Sequence, residues 1–135
     1  MRVRKMNKKF KDVKPGDIVY KVAVYDSKTR IIKKIVKSVE SKSRHGLLTI
    51  HCECKDSEYY ANFFVNVQEK SSIHKNMFAA NSYLCTNIKD AKSVCLQITE
   101  DIISNAKKEL NALQDRLDRW HNHLADLSLD KFLIK

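Results

Sequence analysis

Residues 13–29, which read VKPGDIVYKVAVYDSKT, decide the fold of this 135-residue chain. Pro15 presets one backbone angle and Gly16 is free to take a positive φ, so a turn is expected before the apolar run. The run Ile18–Tyr25 is rich in β-branched and aromatic residues, which is typical of a β-strand. Residues 26–29 are typical of a hairpin turn. The stretch therefore predicts a β-hairpin and, with it, an antiparallel sheet.

Further strands are predicted at short intervals after this turn. Alternating or β-branched patterns indicate these strands. Residues 68–80 are expected to form a loop before the last predicted strand. Four or five short antiparallel strands in about 70 residues favour a strongly bent barrel, because closure removes exposed strand edges. The fold class is therefore predicted as α+β, with a small antiparallel β-barrel over residues 13–86 and a long C-terminal α-helix. The predicted later strands cover residues 31–39, 47–54, 59–67 and 82–85.

Two short motifs carry a resemblance to known proteins. VKPGDIVYKV at residues 13–22 resembles the opening of small phage and prophage proteins of unassigned function, and is similar to the first strand of Src-homology-3-like and KOW-like barrels. YLCTNIKDA at residues 83–91 is similar to the point where such phage proteins leave their last strand and enter a helix. The resemblance covers residues 10–98. It implies a barrel, a phage or mobile-element origin, and, from KOW-like barrels, binding of RNA or of ribosomal and transcription components.

The C-terminal part predicts one long helix over residues 87–128, since it contains neither Gly nor Pro and Thr86 is a suitable N-cap. Its apolar residues form two series with 3-4 spacing, and the step from Ile102 to Ile103 rotates the second by about 100°. A single face of the helix therefore cannot contain both apolar series. The first series is Ile88, Ala91, Cys95, Ile98 and Ile102; the second is Ile103, Ala106, Leu110, Leu113, Leu117, Trp120, Leu124 and Leu127.

We expect the first series to dock on the barrel and the second to seek another helix, as the a and d positions of a coiled coil do. A homodimer through this helix, or a helical partner, is the favoured interpretation. An intramolecular hairpin broken near Ser104 and Asn105, and a partly frayed helix, are the alternatives. The sequence leaves parallel and antiparallel pairing open. The candidate helix interface consists of Ile103, Leu110, Leu113, Leu117, Trp120 and Leu124.

The net charge of +10 belongs entirely to the first part of the chain. Residues 1–80 contain 18 Lys and Arg against 8 Asp and Glu, whereas residues 81–135 contain 8 of each. Such a basic region predicts an anionic partner, and a merely solubilising surface is the alternative. The candidate nucleic-acid-binding residues are Arg2, Arg4, Lys5, Lys8, Lys9 and Lys11 of a flexible basic arm over residues 1–12, and Arg30, Lys33, Lys34 and Lys37 of the second strand.

The second strand is expected to place Lys33 and Lys37 on one face, together with Ile31, Ile35 and Val39, and Lys34 on the other. Tyrosines could add stacking on bases, although alternation assigns half of them to the core. Contact with the nucleic-acid backbone, without sequence readout, is the expectation for a surface of this type. The tyrosines considered are Tyr20, Tyr25, Tyr59 and Tyr60.

Several function classes are disfavoured. Only two glycines are present, so the sequence contains neither of the Gly-rich phosphate-binding motifs. No apolar run matches a membrane helix or a signal peptide, which predicts a cytoplasmic protein of a bacterial host cell. The letters HNH at residues 121–123 lie within the predicted helix, away from the strand context of a nuclease. No catalytic grouping is legible, so we expect no enzyme and no catalytic residue.

The four cysteines are expected to be reduced thiols, most of them in the core. A zinc site is disfavoured because C-x-C on a strand separates side-chain roots by about 6.6 Å. Two sulfurs on one tetrahedral zinc lie only about 3.8 Å apart. We therefore expect no metal and no cofactor. The cysteines are Cys52, Cys54, Cys85 and Cys95.

Together these features predict a non-enzymatic phage or mobile-element accessory protein. It would bind nucleic acid through the arm and the barrel and self-associate through its helix, with residues 129–135 as a tail. The alternative is a host-directed inhibitor, such as an anti-defence or anti-CRISPR-like protein, that binds a protein or ribonucleoprotein complex. A structural assembly component that uses the helix seam is a third, weaker hypothesis.

Overall fold

The computed structural model describes residues 8–42, 46–53, 63–76 and 81–127. A 3₁₀ turn and six strands precede one helix, and the strands form a single antiparallel sheet in the order β4-β3-β2-β1-β6-β5. The sheet curls into a nearly closed barrel. The elements are the 3₁₀ turn Phe10–Asp12, β1 Ile18–Tyr25, β2 Lys28–Lys42, β3 Leu47–Cys52, β4 Phe63–Gln68, β5 Ile73–Lys75, β6 Tyr83–Cys85 and α1 Ile88–Asp126.

The α+β class with a barrel and a long C-terminal helix is confirmed, but the expected strand count of four to five is wrong. The sixth strand is β5, which lies inside the segment predicted as a loop and pairs with β6. Its three residues, Ile73, His74 and Lys75, are too few to show an alternating pattern. Tertiary pairing, rather than local preference, therefore makes them a strand.

The β1–β2 hairpin forms as the sequence predicts, but its turn is shorter than the expected residues 26–29 and β2 begins at Lys28 rather than at residue 31. Tyr25 pairs with Lys28, which leaves Asp26 and Ser27 as a two-residue loop. Their φ angles are 51° and 61°. Two positive φ angles are what a type I′ turn requires, and this turn matches the right-handed twist of the flanking strands.

A β-bulge at Lys37 interrupts β2. Ile35 pairs with Ile18 of β1, while Val36 and Ser38 pair with Cys52 and His51 of β3. The extra residue reverses the alternation beyond it. Val39 consequently packs against the barrel interior, whereas Ile31 packs on the opposite face of the sheet. The expectation that Ile31, Ile35 and Val39 share a face is therefore wrong.

The barrel interior is an apolar core to which every part of the sheet except β5 contributes, together with the segment before β1. Phe10 is 0% exposed. Its backbone N–H donates to the carbonyl of Ser71, and that of Lys11 donates to the carbonyl of Glu69. Residues 8–12 are thus part of the barrel, whereas the sequence placed them in a flexible arm. The core consists of Phe10, Val13, Val19, Val36, Leu48, Ile50, Cys52, Val65, Val67 and Leu84.

Helix α1 begins at Ile88 with a reciprocal cap. The Asn87 side-chain oxygen accepts a hydrogen bond from the Asp90 backbone N–H at 2.8 Å, and the Asn87 amide donates to the Asp90 carboxylate at 2.8 Å. Asn87 is therefore the N-cap. The prediction of Thr86 misses by one residue, because the Thr86 hydroxyl instead donates to the carbonyl of Lys8.

The chain divides into two compact units, one up to Thr99 and one from Glu100. In the first, Ala91 and Ile98 of α1 are buried with Val22 and Cys85 of the sheet. Part of the first apolar series thus docks on the barrel, whereas Ile102, which the prediction also placed there, lies in the second unit and is 40% exposed. Cys95 packs against this cluster, while Ile88 at the helix start remains 40% exposed.

In the second unit, α1 runs without interruption through Ser104 and Asn105 to Asp126. The alternative of a helical hairpin is therefore wrong. Every residue from 100 to 126 is exposed, including the second apolar series from Ile103 to Leu124, and Leu127 is half-buried. Several predictions concern positions outside the described residues: Arg2, Arg4, Lys5, Cys54, Tyr59, Tyr60 and the tail over residues 129–135.

Candidate nucleic-acid interface

The two faces of the β1–β2 hairpin have different surroundings. Residues at even positions of β1 point toward α1: Val22 is fully buried there, and Tyr20 and Val24 pack against the same cluster. At the end of this contact the hydroxyl oxygens of Thr29 and Thr99 lie 2.9 Å apart. The helix therefore covers the part of this face around Tyr20, Val22 and Val24, whereas Ile18 and Ile35 on the same face remain exposed.

The other face of the hairpin is basic. Strand pairing places Tyr25 opposite Lys28, Ala23 opposite Arg30, Lys21 opposite Ile32 and Val19 opposite Lys34. Because directly opposed residues lie on the same side of a sheet, all of these side chains share one face. We call it the basic face and define it by Lys21, Tyr25, Lys28, Arg30 and Lys34.

The members of the basic face differ in burial. Lys28 and Arg30, near the turn, are exposed, whereas Lys34, beside the barrel core, is only 7% exposed. Lys21 is half-buried, and its Nζ lies 5.7 Å from the centroid of the Tyr25 ring. This is within the range of a cation–π contact. The accessible cations of the face are therefore concentrated at the hairpin end.

The strand segments that form this face contain no acidic residue. β1 and residues 28–39 of β2 contain no Asp or Glu, and the acids adjacent to them in sequence are Asp17, Asp26 and Glu40. The exposed Lys28 and Arg30, with the half-buried Lys21, produce a positive potential at the hairpin end that attracts phosphates. Tyr25, which is 38% exposed, adds an aromatic surface at the same end. The arrangement can therefore bind a polyanion by contacting the phosphate backbone of that polyanion.

The four strand candidates from the sequence do not share one surface. Arg30 and Lys34 belong to the basic face, whereas Lys33 lies opposite Tyr20 on the helix-covered face. Lys37 is the bulge residue. Both Lys33 and Lys37 are exposed. Sequence reasoning missed Lys21 and Lys28, although counting outward from a two-residue turn at Asp26 and Ser27 would have found them.

The N-terminal candidates that the structure describes are Lys8, Lys9 and Lys11, all exposed. Lys8 forms an ion pair with Asp17. The Asp17 carboxylate also accepts a hydrogen bond from the Lys14 backbone N–H at 2.9 Å. The hydrogen bond from Lys8, followed by that from Lys14, lowers the pKa of Asp17. Lys8 is therefore engaged within the molecule, while Lys9 and Lys11 remain on its surface.

The helix-interface candidates form a continuous exposed stripe in the second unit. They are between 48% and 67% exposed. Trp120 contacts His123 edge-to-face with a centroid distance of 5.9 Å. Arg116 and Arg119 line a surface crevice with these two rings. Among the described residues, nothing covers this apolar stripe.

The described cysteines do not suggest a reactive or metal-binding site. Cys52 and Cys85 are buried and Cys95 is half-buried, and none of the three forms a disulfide. Burial, with the charge of Asp90, raises the pKa of Cys85 to about 12, so its thiol is neutral at physiological pH. Across the described ranges, no three His, Cys, Asp or Glu side chains converge as a metal site would require. Helix α1, the one helix longer than a single turn in the described part, is too polar to cross a membrane.

The chain matches no protein-family model, and no curated protein or solved structure is significantly similar to it.

Proposed function

We propose that this protein is a non-enzymatic accessory protein of a phage or mobile element that binds nucleic acid. The basic face and the N-terminal arm contact the phosphate backbone, and the second unit mediates self-association through its apolar stripe. The observation that carries the proposal is the division of the β1–β2 hairpin into one face that packs against α1 and an opposite face whose accessible end carries Lys28, Arg30 and Tyr25. The resemblance of residues 13–22 supports the phage or mobile-element origin.

The composition of the basic face favours backbone contact over base readout. Its cations are mainly lysines, which act as point charges on phosphate and carry little sequence information. Same-face residues along a strand lie about 6.6 Å apart, and neighbouring strands are about 4.8 Å apart. The hairpin therefore presents several closely spaced positive charges rather than one side chain that forms two hydrogen bonds with a base.

Fluorescence anisotropy with unrelated duplex and single-stranded DNA and RNA tests the proposal. At about 50 mM salt we expect micromolar binding, and six or more phosphate contacts predict roughly a thousandfold loss by 200 mM. Absence of binding at the lower salt concentration would overturn the proposed function.

A matched pair of double variants assigns binding to the basic face. Lys28→Ala with Arg30→Ala removes its two exposed cations, while Lys89→Ala with Lys92→Ala removes two exposed cations from α1. We expect the first pair to reduce the slope of log K against log salt by about 1.8 and the second to leave it nearly unchanged. Equal losses in both pairs would mean that only the overall charge matters.

The contribution of residues 1–7, the part of the arm that precedes the barrel, is tested by a separate deletion. Removing residues 1–7 deletes Arg2, Arg4 and Lys5 and leaves Phe10 in the barrel core. We expect weaker binding with the melting temperature retained. A deletion that extends past Phe10 would confound lost binding with unfolding.

A protein target of a host-directed inhibitor is the second candidate, and one observation favours it. Ile18 and Ile35 are cross-strand neighbours, yet they are 45% and 46% exposed, and the exposed Lys33 lies two positions from Ile35 on the same face. Pull-downs from a bacterial lysate test this idea. It is supported if a captured protein is lost with Ile18→Ser and Ile35→Ser but retained by the Lys28→Ala, Arg30→Ala variant.

A further inference from the structure

The exposed apolar stripe of the second unit has the positions of a coiled-coil heptad. Ile103, Leu110, Leu117 and Leu124 occupy one core position, a, and Ala106, Leu113 and Trp120 occupy the other, d. The flanking g positions are Glu109, Arg116 and His123, and the e positions are Lys107, Gln114 and His121. We call the seven core residues the seam. Its smallest and largest members, Ala106 and Trp120, both occupy d.

The sizes of the seam residues discriminate between the two orientations. In a parallel pair each core residue faces its own copy, so Ala106 would meet alanine and Trp120 would meet tryptophan. One layer would be underfilled and the other overfilled. In an antiparallel pair a faces d, so Ala106 meets the partner's Leu124 and Leu110 meets the partner's Trp120. Even filling of the layers is what close-packed cores require.

The charge distribution favours the same orientation. All of the net charge of +10 lies in residues 1–80, directly before α1. A parallel pair brings the two helix N-termini together and with them the two basic barrels, which repel each other. An antiparallel pair separates the N-termini along the helix axis and opposes the two helix dipoles favourably.

The antiparallel register follows from burial. Pairing Leu113 with the partner's Leu117 gives every seam residue except Ile103 a seam partner, and Ile103 then faces the partner's Leu127, which continues the same series. A shift by one heptad would bring Glu109 beside the partner's Arg116, but it would leave Leu124 without an apolar partner. Burial of a leucine outweighs an exposed ion pair.

We infer that a second copy of this chain covers the seam in antiparallel orientation, with Leu113 opposite the partner's Leu117. This inference rests on the self-association in the proposed function and adds its geometry. One consequence is specific to this register: each g residue flanks a g residue of the partner. Arg116 then lies beside the partner's Arg116 at the centre of the pair, where like charges meet.

Mixing experiments test this arrangement. Wild-type protein is mixed with the Arg116→Glu variant, and native mass spectrometry counts the homodimers and heterodimers at equilibrium. Each homodimer has one like-charge contact at residue 116 and each heterodimer has one attractive contact instead, so we expect the heterodimer to reach about three quarters of all dimers, against one half for random pairing. Lys108→Glu reverses a charge at an f position, away from the seam, and its mixture with wild type should remain random. Circular dichroism establishes that both variants are folded.

The possible outcomes are distinguishable. In a parallel dimer Arg116 flanks the partner's His121, so the heterodimer gains nothing and a random mixture would overturn the antiparallel register. A monomeric wild-type protein would overturn the register and the proposed self-association together. Either result leaves nucleic-acid binding to be judged by the Lys28→Ala, Arg30→Ala comparison.

Discussion

Asp17 joins the N-terminal segment to the turn that precedes β1. Its carboxylate accepts hydrogen bonds from the Lys8 ammonium and the Lys14 backbone N–H, while the Asp17 N–H donates to the Lys14 carbonyl at 3.0 Å. Pro15 and Gly16 occupy the two central positions of this turn, and the φ of Gly16 is +92°. Such a φ is strained for residues with a Cβ. The turn, and with it the hydrogen bonds of the Asp17 carboxylate, therefore depends on the Pro-Gly pair.

Replacing Asp17 with Asn should destabilise the protein by about 1 kcal/mol at pH 7, since the ion pair is largely exposed. The folded-state pKa of Asp17 lies below its usual value of 3.8. Its contribution is therefore present above that value and is lost as the pH falls through the lowered folded-state pKa. Urea denaturation at pH 7 and at about pH 3 measures the difference between Asp17→Asn and wild type. A difference that does not shrink at the lower pH would contradict the electrostatic origin.

Phe10 is the residue that makes the N-terminal segment part of the barrel. Phe10→Ala should cost about 3–5 kcal/mol of unfolding free energy, because it removes a fully buried ring and leaves a cavity. Phe10→Leu retains most of the apolar volume and serves as the control, with a smaller loss. Urea denaturation measures both variants. Equal stability of Phe10→Ala and wild type would show that the segment does not pack into the core in solution.

At the scale of the elements, the β1–β2 hairpin positions the basic face. Its register follows from the two-residue loop, because Tyr25 must pair with Lys28 and each earlier residue with the next one along β2. A slip by one residue would move Lys21 and Tyr25 to the face that α1 covers and expose Val22. The turn therefore controls which charges reach the surface.

Ser27→Gly should stabilise the hairpin by about 0.5–1 kcal/mol. Ser27 has a φ of 61°, where a side chain is unfavourable and glycine is not. Thermal unfolding measures the gain. Ser41→Gly, near the end of β2, where the backbone is extended, is the control and should destabilise instead. A loss of stability in Ser27→Gly would mean that the turn is not of type I′ in solution.

The continuous helix α1 contributes to both units of the whole molecule. Its first turns are stabilised by packing on the sheet, but residues 100–126 expose their apolar series in the single chain. In proteins, packing of an apolar face rather than intrinsic propensity supplies most of the stability of a helix. We therefore expect the helicity of residues 100–126 to depend on association.

Leu110→Glu with Leu117→Glu should abolish self-association, because it places two charges in the seam of each chain. It should also reduce the circular dichroism signal at 222 nm. The control, Asn111→Glu with Asn122→Glu, adds the same charge at exposed positions outside the seam. Sedimentation equilibrium gives the mass of each variant. A wild-type dimer whose mass is unchanged in folded Leu110→Glu, Leu117→Glu protein would exclude the seam as the interface.

Patterns along the chain were sufficient for features with a strong local cause. Ile18–Tyr25 could be recognised as a strand from its β-branched residues, and the long helix from the absence of Gly and Pro after Asn87. The docking of Ala91 and Ile98 followed from the 3-4 spacing of the first series. In each case the residues that specify the element lie within it, so periodicity alone reveals it.

Other features depend on contacts between residues far apart in sequence. β5 is a strand because it pairs with β6. Phe10 is held in the core because its N–H and that of Lys11 donate to carbonyls of the segment after β4. Val39 faces inward because Lys37 is a bulge. The composition of the basic face has the same origin. By itself the sequence determined a basic barrel and a helix with two apolar stripes. Only the tertiary structure decided which cations share a surface, since that depends on strand register and on the face that the helix covers.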